Sequence, residues 1–106
     1  MNSAILIYST FPNSEIAEEV SNKLLTANLI ACANIGGGIK SLYKWNKTIE
    51  KSSEIPVLFK SVKGKFLEIE NLIKQHHPYK IPCIISVDID NISPDFLTWI
   101  LENTKN

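Results

Sequence analysis

At 106 residues, with 44% hydrophobic and 21% charged side chains, the chain suits one folded domain over residues 1–106 and leaves no room for a second. Eleven basic residues balance eleven acidic ones, and a formal net charge of zero argues against nucleic acid as a partner, because phosphate binding needs a basic surplus on one face. The apolar runs are too short for a membrane span and the start lacks a cationic signal-peptide region, while Cys32 and Cys83 are too few for a disulfide scaffold or a zinc site; a cytoplasmic protein with reduced thiols and no membrane partner is expected.

Ser3 to Thr10 alternates and is rich in β-formers, which predicts a first strand. Phe11-Pro12-Asn13-Ser14 supplies a turn with helix-capping side chains, and Ile16, Val20, Leu24 and Ala27 then recur at helical spacing as far as Asn28, a residue that tolerates a left-handed turn. Ile30 to Ile35 begins a second strand, Gly36-Gly37-Gly38 interrupts it with a bulge or a close backbone approach, and Ile39 to Trp45 resumes it with Tyr43 and Trp45 on one side. Asn46-Lys47-Thr48 reads as a hairpin turn and Ile49 to Ser61 as the next strand, in which Pro56 predicts an edge or a bulge.

Lys65 to His76 predicts a second amphipathic helix burying Phe66, Ile69, Leu72 and Ile73, with His76 projected onto the buried side and His77 at its margin. Pro78 ends that helix, since proline drives its predecessor out of the helical region. Cys83 to Asp90 is a last strand, and Ser93-Pro94-Asp95 opens a final helix with proline at its first position. The order βαββαβ plus a C-terminal helix predicts an α+β, ferredoxin-like domain.

Two groups of residues carry candidate chemistry. His76 and His77 offer imidazole nitrogens suited to Cu(II), and Cys32 a thiol donor suited to Cu(I). Neighbouring helical residues point about 100° apart, so a shared ion needs Pro78 to unwind the turn. The plainer readings are a subunit contact for His76, a helix cap for His77 and apolar packing for Cys32. Tyr43, Trp45, Glu50, Glu54, Lys60 and Tyr79 form the second group, either a pocket for a small anion or zwitterion or an oligomer interface. Asp88 and Asp90 share a strand face but are too few for a calcium site. No nucleophile elbow, phosphate loop or zinc-ligand spacing is present, so neither an enzyme nor an organic cofactor is expected.

Taken together, Thr10 and Pro12, Ala31-Cys32-Ala33-Asn34, Ser41 with Tyr43 and Trp45, Glu50 and Glu54, Lys60, His77-Pro78-Tyr79 with Pro82, and Trp99-Ile100 resemble the CutA family of divalent-cation tolerance proteins, from about Ile5 to Ile100. The resemblance implies a homotrimer joined through sheet edges, copper or another divalent cation as cofactor, and kinship with the PII signalling proteins, whose effectors bind between subunits. It leaves open a structural trimer that scaffolds a protein partner. The chain departs from the family pattern at Ser9, where some members carry a cysteine assigned to copper with the two histidines, at Cys83 in place of a glutamate, and at Lys47 in place of a glycine.

Overall fold

In the computed structural model, which describes residues 2–105, the chain runs β1 (Ala4–Phe11), α1 (Ser14–Thr26), β2 (Cys32–Ile35), β3 (Ile39–Trp45), β4 (Thr48–Val62), a 3₁₀ turn (Lys63–Lys65), α2 (Phe66–His76), β5 (Ile84–Asp88) and α3 (Pro94–Asn103). The strands form one antiparallel sheet in the order β2-β4-β1-β5, with β3 pairing to the far half of β4. The α+β fold expected from the element order is the one observed.

Local chemistry sets each boundary. Asn13 caps α1 by accepting the Ile16 N–H at 2.9 Å, and Asn28, at φ 59°, turns the chain out of the helix. Ser93 caps α3, whose first residue is Pro94. The β3–β4 hairpin closes on a two-residue loop, Asn46-Lys47, with both residues at positive φ and Trp45 opposite Thr48. Such loops match the twist of the flanking strands.

The sheet has two unlike faces because strand residues alternate. Ile5, Ile7 and Phe11 of β1, with Val57 and Phe59 of β4, pack against Val20 and Leu24 of α1 and Ile69 and Ile73 of α2; all are essentially inaccessible. On the opposite face α3 covers only one end, where Ile100 meets Ala4 and Ala31. The rest of that face, beneath the β3–β4 hairpin, is open.

One expectation changes form. Pro56 lies in β4, which sits between β2 and β1, so the strand is internal and not an edge. The missing amide proton falls where the partner strand itself breaks: β2 pairs as far as Val57, β3 resumes opposite Glu54, and Gly36 to Gly38 span the gap. Gly36 donates to the Pro56 carbonyl at 2.8 Å, and a Cβ on Gly36 would lie 3.0 Å from the Pro56 ring. The triplet is therefore a bulge with a close backbone approach at its first glycine. Strand β4 keeps its length of 15 residues because the ladder changes partner there.

Candidate functional site

The open sheet face carries a cleft of about 610 Å³. Its floor is Tyr8 and Thr10 of β1, one wall is the hairpin with Ser41, Tyr43, Trp45, Glu50 and Glu54, and the other is the segment from Tyr79 to Cys83. Strand alternation explains the hairpin wall: Ser41, Tyr43 and Trp45 share a face, and Tyr43 stands opposite Glu50 across the ladder. The Pro78 to Pro82 segment is held away from helical geometry by its prolines, and Tyr79 to Pro82 form an irregular lip of the cleft.

Glu54 is the chemical centre. Its side chain is 8% exposed, and its carboxylate accepts the Thr10 hydroxyl at 3.0 Å and the Tyr79 phenol. Burial, the bond to Glu54, the Glu54 charge and Tyr43 together push the Tyr79 phenol up to about 12. Burial first and the Glu54 charge second also raise the Cys83 thiol, which keeps it in the unreactive protonated form.

Five residues of the predicted cleft group, Tyr43, Trp45, Glu50, Glu54 and Tyr79, meet in this one cleft. Lys60 does not line it. Its ammonium bonds Asn34 at 2.7 Å, approaches the Cys32 sulfur at 3.9 Å and lies 5.5 Å from the Phe96 ring centre, nearer α3. Tyr8 and the Lys80 to Cys83 lip were not predicted as cleft residues. Alternation along β1 could have pointed to Tyr8, whereas the lip depends on how α2 delivers the chain to β5.

The histidines part company, in the reverse of the projected sense. His77 is buried at 8% exposure, while His76 is half-buried. The projection assumed a continuing helix, but His77 has left it at φ −92°, ψ 130°, which swings its ring inward. There it stacks 4.8 Å from Phe11 and 4.6 Å from Tyr79. Nε2 donates to the Thr10 carbonyl at 2.7 Å and Nδ1 accepts the Tyr79 N–H at 3.2 Å. Both ring nitrogens are thus occupied, and His77 does not fit the role of a metal ligand. Among the described residues of this one chain no three His, Cys, Asp or Glu side chains gather to hold an ion, and His76, His77 and Cys32 are not brought together within it.

Cys32 lies beside Lys60 and Asn34, in more polar surroundings than its neighbours Ala31 and Ala33 suggest. Both cysteines are free, on segments leading into opposite edges of the sheet. Ser9 belongs to the core-facing side of β1, fully buried, with no partner for its hydroxyl. Asp88 pairs with Lys63 at 3.1 Å on an exposed edge, and Asp90 stands outside any acidic cluster.

Residues 5–103 match the model of the CutA1 divalent ion tolerance protein family. The chain belongs to the CutA1 family. It is 40% identical over 101 residues to the divalent-cation tolerance protein CutA of Pyrococcus horikoshii, covering 95% of this chain and 98% of that one. Among solved structures, the CutA1 divalent ion tolerance protein of Ehrlichia chaffeensis superposes with a TM-score of 0.92 at 36% identity, covering 100% of this chain and 99% of its own. The periplasmic divalent cation tolerance protein CutA of Archaeoglobus fulgidus does so with a TM-score of 0.93 at 36% identity, covering 96% and 99%. The family is named for ion tolerance and not for a reaction. No helix among the described residues is long and apolar enough to cross a membrane.

Proposed function

We propose that this chain serves the response to divalent metal ions as a non-catalytic homotrimer, and that its working site is the Glu54 cleft, closed by neighbouring subunits and holding a small ligand. The observation that carries this is a buried carboxylate set among four aromatic side chains, Tyr8, Tyr43, Trp45 and Tyr79, in a cavity of ligand size. The assembly is supported by apolar side chains that one chain leaves in water: Leu42, Ile49, Ile85 and Val87 are each more than half exposed, on strands with unpaired edges or on the projecting hairpin. In this reading the trimer acts as a PII-like sensor, with a protein partner reading the occupied cleft. A cytoplasmic setting accords with two free thiols.

The small anionic effector drawn from Lys60 loses its main support, since that lysine is bound elsewhere. Direct capture of copper or another divalent cation is a second reading, favoured by one observation: among the described residues no other group holds the imidazole of half-buried His76. A single imidazole per chain makes a weak site unless symmetry gathers several.

Native mass spectrometry with limiting Cu(II), on the unaltered chain and on His76→Ala, tests both. A trimer that takes up no stoichiometric copper supports the cleft reading. Copper bound to the trimer and lost in His76→Ala establishes the second, and a monomer overturns the assembly.

A further inference from the structure

The geometry points to a positively charged ligand for the cleft: a primary ammonium group carried on a short apolar body, seated on the Glu54 carboxylate with its hydrocarbon part against the aromatic walls. This rests on the reading of the cleft as a ligand site and adds the chemistry that would select its occupant.

The charge comes first. Glu50 and Glu54 line the cleft against one cation, Lys80, which is exposed at the lip. Glu54 is the buried one, so its field acts through a poorly solvating medium and is weakly screened. Its partners leave that field in place. Thr10 and Tyr79 are neutral donors, and Tyr79 holds its proton through the physiological range.

Hydrogen-bonding capacity comes next. A carboxylate offers about four acceptor positions, and the two known donors fill half of them. The remaining positions favour a ligand with N–H donors, which a primary ammonium has and a quaternary one lacks. The walls then decide against a bare metal ion. A hard divalent cation needs several converging oxygen ligands, whereas among the described residues Glu50 and Glu54 gather with no third acidic or imidazole side chain, and the walls are largely aromatic. Those rings suit an organic cation, through their negative faces and through burial of the alkyl body.

The test is isothermal titration of the assembled protein with n-butylammonium and with 1-butanol, which match in size and differ in charge, and with acetate as the anion of comparable size. The expected result is binding of the amine about tenfold or more tightly than the alcohol, a preference that charge-assisted hydrogen bonding readily supplies, with acetate bound more weakly than either. Glu54→Gln, which keeps an acceptor for Thr10 and Tyr79, is expected to abolish the preference. The amine-to-alcohol comparison on the unaltered chain decides the charge assignment even where that variant fails to fold. Equal binding of amine and alcohol, a preference that survives in Glu54→Gln, or tighter binding of acetate would overturn the ammonium assignment and leave the cleft a ligand site. No binding of any probe by an intact trimer would overturn the ligand reading as well.

Discussion

His77 shows how a residue read for metal chemistry can have its ring engaged within the chain. A histidine beside a proline at a helix end looks available for a metal, yet here its ring ties the end of β1 to the start of the cleft lip through two hydrogen bonds and two ring contacts. His77→Ala is expected to lower stability by about 3 kcal/mol, from the loss of buried packing and of partners for two backbone groups, as measured by urea unfolding. Copper uptake should be unaffected by it. Tyr79 carries a pH signature. Its phenol is raised from 10.0 to about 12 in the folded state, so below pH 10 the full contribution to stability is present, and it is lost as pH rises from about 10 to 12, where the unfolded chain gives up its proton more readily. Unfolding midpoints of the unaltered chain should therefore fall more steeply over that window than those of Tyr79→Phe; parallel profiles would show that burial and the Glu54 carboxylate do not hold the proton on the phenol.

At the scale of elements, the hairpin and its bulge are built with different tolerances. Lys47 occupies a left-handed conformation at φ 65°, which costs an L-residue with a side chain about 1 kcal/mol. Lys47→Gly is expected to stabilise the chain by roughly that amount in thermal unfolding. The glycine triplet behaves in the opposite way, since none of its members has positive φ. Only Gly36 is constrained, by the Pro56 ring, so Gly36→Ala is expected to cost about 1 kcal/mol through crowding, while Gly37→Ala and Gly38→Ala, which meet nothing within 4 Å, leave stability unchanged or slightly raised. The hairpin was legible in the alternation of Ile39 to Trp45 and in the Asn46-Lys47 turn. That β4 is internal was not, because a proline in a strand normally signals an edge, and the break in its partner strand is a fact of pairing between distant segments.

For the whole molecule, the exposed apolar residues of β5 are the test of assembly. Ile85 and Val87 are 54% and 57% exposed on an edge strand whose outer backbone groups have no partner strand among the described residues. Ile85→Asp is expected to shift the sedimentation coefficient from that of the proposed trimer toward that of a monomer. The unfolding midpoint of the unaltered chain should depend on protein concentration, as mass action requires when folding and association are linked, and Ile85→Asp should weaken or abolish that dependence.

Sequence by itself determined the element order, the two amphipathic helices, the capping residues Asn13 and Ser93, and the family, because each is written in local periodicity, turn chemistry or residue spacing. It also placed Tyr43, Trp45, Glu50, Glu54 and Tyr79 in one group. Tertiary structure alone decided that Glu54 is the buried centre of that group, that Lys60 belongs with Asn34 and Phe96, and that His77 spends both ring nitrogens on the backbone. The physical reason is the same in each case. Burial and hydrogen-bond occupancy are properties of segments brought together from far apart in the chain, such as Thr10 with Glu54 and with His77, and no local pattern records which distant group a side chain will meet.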